Sequence, residues 1–155
     1  MEAGLSPAGE RVRETMERIV DAAKIDADIE VREDADGIVG EYVGDDLGLL
    51  IGRHGQTVDA IQHLAYRIAF QGASARTGVV VDAAGYRERR AEALRADADQ
   101  AAAAAVRDGR PVELEPMSAL ERKVVHEYLR ERHDVETYSE GQEPARRLVV
   151  APLVN

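Results

Sequence analysis

Two short constellations in this chain combine residue types and spacing that could do chemistry. The first is Ile51-Gly52-Arg53-His54-Gly55-Gln56-Thr57, in which two glycines bracket a guanidinium and an imidazole. Glycine admits positive φ and lets another backbone come close, so Gly52 and Gly55 mark a sharp bend. Val58, Ile61, Leu64, Ala65 and Ile68 follow at helical spacing. That places the loop's amides at a helix N-terminus, a favourable position for phosphate, with Arg53 and His54 adding donors at the tip. The second constellation is Arg122 and His126, four residues apart on a segment whose Leu120, Val124, Val125, Tyr128 and Leu129 predict one buried helical stripe. Side chains at i and i+4 are neighbours, with Cβ atoms ~6 Å apart, so the two share one face, pointing away from that stripe; the spacing alone is equally that of a solvated intrahelical pair.

Neither constellation is catalytic on its own terms. His126 and His133 share a helical face but stand two turns apart, roughly 10 Å along the axis, too far to hold one ion. The chain has no His-Glu-x-x-His cluster, no Walker loop and no Gly-x-Ser-x-Gly elbow. Cysteine is absent, which excludes disulfides and thiolate metal sites. An enzyme, a metal site and a cofactor are therefore not expected.

The net charge of -10 argues at first against nucleic acid, but the distribution is uneven. Residues 1–46 carry a balance of -9, residues 47–90 one of +3 and residues 91–155 one of -4, so the only positive segment contains the glycine loop. With 155 residues the chain fits two small domains. No run reaches the ~18 apolar residues of a membrane span and no basic-then-apolar leader opens the chain, so a cytoplasmic location is expected.

These sites need elements to position them. Ser6-Pro7 predicts a capped helix to Ala23, and Ile29–Val31 and Ile38–Val43 a hairpin turning at Asp36-Gly37. Asp45-Asp46 predicts an N-cap for a short helix over Leu47–Ile51. A second helix then runs from the loop to Phe70 or Gln71, and Thr77–Asp82 reads as a buried strand. An alanine-rich helix is expected from Tyr86 to Asp108, then a strand over Val112–Glu115. Ser118 with Glu121 predicts a capping box ahead of the helix bearing Arg122, and Val135–Tyr138 and Arg147–Ala151 predict two strands.

The first loop, continuing into Asp59-Ala60-Ile61-Gln62, resembles the KH loop of the bacterial Jag family, also called KhpB or EloR. The stretch Pro116–His126, with Tyr138-Ser139-Glu140-Gly141 and Pro144–Val150, is similar to the R-three-H domain of the same family. Together the two cover about residues 10–152. The resemblance implies an α+β chain. Residues 1–84 would be a type II KH domain, a three-stranded sheet with helices on one face. Residues 85–110 would be a connecting helix, and residues 111–155 a small α/β R-three-H domain with a three-stranded sheet.

It also implies a non-catalytic single-stranded RNA-binding protein, with single-stranded DNA as a second ligand. The family's role is post-transcriptional control linked to cell elongation, division or envelope growth, and a second small KH-domain protein is an implied partner. Residues 51–57 would clamp the backbone of about four nucleotides. Arg122 would hold a phosphate, His126 would donate a hydrogen bond beside it, and Arg146 and Arg147 would add charge from the adjacent strand. The resemblance does not extend to the separate N-terminal Jag domain of longer members, and roles of that region are not carried over. The alternative reading is a protein-interaction scaffold with weak or lost nucleic-acid binding, motivated by the acidic first third.

Overall fold

The computed structural model describes residues 4–154, so the outermost residues of the expected domains lie outside it. The chain divides into two compact units, Met1–Arg87 and Glu88–Asn155.

The first unit runs α1 (Pro7–Ala23), β1 (Asp28–Asp34), β2 (Gly37–Val43), α2 (Gly48–Ile51), a single 3-10 turn (Arg53–Gly55), α3 (Gln56–Ala69) and β3 (Gly78–Ala83). This is the expected order of elements. Ser6 caps α1 by accepting from the Gly9 amide at 3.1 Å, with Pro7 in the first turn where its missing N–H costs nothing. The expected aspartate cap on α2 is not made: its cap position is Leu47, without a side-chain bond. The sheet has the order β1-β2-β3, with β1 antiparallel to β2 and β2 parallel to β3. β3 is therefore an edge strand. Beneath the sheet, Val12, Met16, Ile38, Tyr42, Leu50, Val58, Ala65 and Val81 form a solvent-excluded core. Each fully buried large apolar side chain contributes about 1.5–3 kcal/mol relative to exposure. Tyr42 is buried as well, and its hydroxyl donates to the Met16 carbonyl at 2.9 Å. Leu64 and Ile68, which the sequence pattern places on one apolar face with Ile61, are 47% and 37% exposed. The buried stripe is Val58-Ile61-Ala65-Ala69, and its neighbours fall beside it.

α4 (Tyr86–Asp108) begins in the first unit and continues into the second, which adds β4 (Val112–Glu113), α5 (Ala119–Leu129), β5 (Val135–Glu140) and β6 (Arg147–Pro152). The sheet order is β4-β6-β5, and both pairings are antiparallel. The helix expected to act as a connector also supplies a wall of this core. Leu94, Ala98, Ala101, Ala102 and Ala105 pack with Val125, Leu129, Val135, Leu148 and Val150. In the sequence alanine signals helix propensity, yet its small side chain is also what lets a helix lie close to a sheet.

α5 corrects the sequence reading in three places. Its core-facing stripe is Arg122, Val125 and Leu129, whereas Leu120 is 59% exposed and Tyr128 lies at the surface. Glu121, expected to close the capping box, bonds Arg90 at 2.7 Å instead, although Ser118 does accept from the Glu121 amide. The helix stops at Leu129, so His133 is not on it.

Candidate nucleic-acid interface

The geometry of the first loop follows from three left-handed residues. Gly52 (φ 72°) caps α2 by donating to the Gly48 carbonyl at 2.9 Å, and Gly55 (φ 77°) opens α3. Between them His54 sits at φ 54°, ψ 27°, a region that L-residues with a Cβ enter at a cost of about 1–2 kcal/mol. Neither glycine position has room for a side chain. A Cβ on Gly52 would lie 2.8 Å from Thr57 Cβ, and one on Gly55 would lie 2.6 Å from Tyr86 Cε1. Tyr86, which sequence reasoning missed, thus backs the loop. Only contact geometry could have revealed it.

Arg53 and His54 are exposed, and their side chains make no bond among the described residues. No side chain caps α3, although the Gly55 and Gln56 amides already donate to the Gly52 and Arg53 carbonyls, and the positive end of the helix faces the exposed loop tip. Ile51 is half-buried against the core, Gln56 is exposed and Thr57 packs on Gly52.

The surroundings of the loop are electropositive for a structural reason. Of the two carboxylates between residues 47 and 87, one pairs with the Arg87 guanidinium and the other accepts from the Arg87 backbone amide. Arg87 Nη1 meets Asp59 Oδ1 at 2.8 Å, and Asp82 Oδ1 accepts from the Arg87 amide at 3.2 Å. Arg87 Nε also donates to the Val81 carbonyl at 2.9 Å, and Nη2 donates to Gln62 Oε1 at 3.0 Å. Arg53, Arg67 and Arg76 are left without a carboxylate among the described residues.

The second constellation is not assembled as the sequence suggested. Arg122 is buried, 8% exposed, and points inward. Its Nη1 donates to the Met117 carbonyl at 2.6 Å and reaches the Arg146 carbonyl at 3.5 Å, while Nη2 pairs with Glu143 at 2.5 Å. A guanidinium carries five donors in a planar fork, so it can occupy a core-facing position when carbonyls satisfy it. His126 is exposed, with Nδ1 2.5 Å from the Thr137 hydroxyl. Arg146 donates to the Gly141 carbonyl at 2.7 Å.

Arg147 lies on the other side of the sheet. Val112 pairs with Val150 and both touch the α5 side, whereas Arg147 pairs with Glu113 at 3.2 Å one residue out of phase. Of the four residues expected there, His126 lies on the helix-facing side against Thr137, Arg122 braces it from within, Arg146 is tied to the loop at Gly141, and Arg147 pairs with Glu113 on the opposite face.

Among the described residues no group of three or more histidines and carboxylates could hold a metal, and no helix is long and apolar enough to cross a membrane.

The two units define a tandem of small folds with a glycine clamp on the first. The models that match are the KH domain of KhpA/KhpB over residues 10–81 and the R-three-H domain over residues 92–152. The chain belongs to the KhpB family, which is non-catalytic. It is 36% identical over 140 residues to RNA-binding protein KhpB of Clostridium symbiosum, covering 89% of this chain and 63% of that one. With the protein of the same name from Bacillus subtilis (strain 168) it is 31% identical over 138 residues, covering 88% and 66%. A third, from Lactiplantibacillus plantarum, is 43% identical over 104 residues, 67% of this chain and 32% of the relative. The chain thus spans between about a third and two thirds of the length of the curated relatives it matches.

Proposed function

We propose that the chain binds single-stranded RNA, and single-stranded DNA as a second ligand, through the Gly52–Gly55 loop, with His126 and Arg146 of the second unit as auxiliary contacts. The observation that carries this reading is the loop itself. Two glycines with no room for a Cβ let a strand's backbone approach the unpaired Arg53 and His54 at the start of α3, which no side chain caps, and the nearby Asp59 carboxylate is held by the Arg87 guanidinium. Phosphate contacts of this kind position a strand without reading its sequence. The relatives' name supports RNA as the ligand.

Post-transcriptional control linked to cell elongation, division or envelope growth, in the cytoplasm, rests on the family resemblance alone. A second small KH-domain chain is the partner we propose, and the groove between α1 and α3 supports it. That groove has a volume of about 320 Å³ and exposes Leu64 and Ile68 beside the half-buried Ile19, with Arg11 and Arg18 also lining it.

Titration of labelled single-stranded RNA against wild type and the Arg53→Asp/His54→Asp variant tests the reading. Two exposed substitutions should leave melting within about 0.5 kcal/mol of wild type. RNA affinity should fall at least tenfold. Equal affinities would leave the scaffold as the better reading.

A further inference from the structure

Gln62 lies on the same face of α3 as the loop, seven residues beyond Gly55 and three beyond Asp59, about 10 Å along the axis from the clamp. A KH loop clamps about four nucleotides, so a base one or two positions from the held phosphate can reach this point. The side chain meets the free edge of β3. Its Oε1 accepts from the Val81 amide at 3.0 Å and from Arg87 Nη2 at 3.0 Å. Both partners can only donate, which settles the amide's orientation. The oxygen must face β3 and the nitrogen must face out. Arg87 is in turn fixed by Asp59 and the Val81 carbonyl, so the orientation is built into the unit. The outward Nε2 makes no bond among the described residues, and no buried polar side-chain atom there lacks a partner, so Nε2 is open to solvent. Two N–H donors thus project from α3 beside the free edge of β3, on the side of the helix that Gly55 also occupies.

We propose that Gln62 is a specificity-determining residue of the RNA site, reading one base through the two N–H donors of its pinned amide. This deepens the RNA-binding reading and rests on it. A donor pair complements a base edge that carries a carbonyl oxygen, as uracil O4 or guanine O6 with N7. Adenine complements it less well: its ring nitrogens accept, but the exocyclic N6 beside them is itself a donor and opposes the second N–H. Uracil is therefore favoured over adenine at the position facing Gln62. The scarcity of aromatic side chains, one Phe and five Tyr, leaves hydrogen bonding as the main source of discrimination in this chain.

The test is the Gln62→Glu variant, titrated with oligo(U) and oligo(A) of equal length at fixed salt beside wild type and Arg53→Asp/His54→Asp. Glutamate keeps an oxygen for Val81 and Arg87, so the fold is retained, while the projecting group changes from donor to acceptor. Wild type should bind oligo(U) about 5- to 10-fold more tightly than oligo(A). Gln62→Glu should abolish or reverse that ratio. Equal loss for both oligomers, or an unchanged ratio, overturns the proposal. A second reading needs no variant: the Gln62 side-chain N–H₂ resonances of wild type should move on adding oligo(U) and stay in place with oligo(A). No movement with either overturns the proposal too. If Arg53→Asp/His54→Asp loses all binding while the wild-type ratio is one, only the specificity claim fails. If that variant binds like wild type, the RNA-binding reading itself fails, and this proposal with it.

Discussion

Replacing Arg122 by alanine should destabilise the second unit substantially, although the spacing of Arg122 and His126 alone suggests an exposed pair whose loss costs little stability. The magnitude can be built from its contacts. The Glu143 carboxylate is 59% exposed, so that pair is screened by water and contributes at most ~1 kcal/mol. The bond to the Met117 carbonyl is the stronger one, charge-assisted and 2.6 Å long in a buried setting. Leaving that acceptor unsatisfied costs about 1–3 kcal/mol. Losing the side chain from a core-facing position beside Val125 and Leu129 adds to this. A total of about 2–4 kcal/mol is expected. For a unit of this size each kcal/mol lowers Tm by ~4–8 °C, so the drop should be at least about 8 °C.

Amide exchange at Val125, Leu129 and Val150 reads that unit specifically, and protection there should collapse before that of Val12 or Val81. Arg122→Lys should recover only part of the loss, because an ammonium cannot reproduce the fork that spans Met117, Arg146 and Glu143. The reasoning is refuted if Arg122→Ala melts within ~2 °C of wild type while RNA affinity falls, since that is the behaviour of an outward phosphate ligand.

Gly55→Ala should destabilise the first unit more than Gly72→Ala does. Both residues sit at positive φ (77° and 74°), but only Gly55 has Tyr86 in the way, and differential melting of the two variants isolates that contact. Tyr42 gives a pH prediction. Burial pushes its phenol well above the ordinary tyrosine range, so the folded state favours the neutral form. The contribution is fully present below the unfolded pKa of about 10 and is lost as pH rises from there toward the folded value. Denaturant midpoints should therefore fall above pH ~10 in wild type and fall less in Tyr42→Phe, which gives up about 1 kcal/mol at neutral pH with the bond to Met16. Equal alkaline slopes would contradict the assignment.

Much of the architecture was legible because strand alternation and helical period are local properties. The hairpin turning at Asp36-Gly37, the caps at Ser6 and Ser118 and the glycine turn all appear where their chemistry requires them. What was not legible depends on which face of a helix meets its neighbour. Leu120 and Leu64 match the apolar period as well as Val125 and Ile61 do, and only the three-dimensional packing separates them. Arg122 is the clearest instance. A charge in a pattern reads as solvent-facing, and the carbonyls of Met117 and Arg146 that bring it inside are backbone groups with no signature in the sequence. Arg147 is on the expected strand, but alternate strand residues face opposite sides, so it sits across the sheet from Leu148 and Val150, beside Glu113. The alanine wall of α4 and the backing of Gly55 by Tyr86 are likewise contacts, and composition does not encode them.

The central claim is that phosphate is held at the start of α3. Backbone amide shifts recorded during titration with a short single-stranded RNA test it residue by residue. The account predicts that the largest and earliest changes fall on Gly52 to Thr57, with smaller ones at Gln62 and His126. Changes confined to other surfaces, or saturable RNA binding that leaves the Gly52, Gly55 and Gln56 amides unmoved, would contradict it.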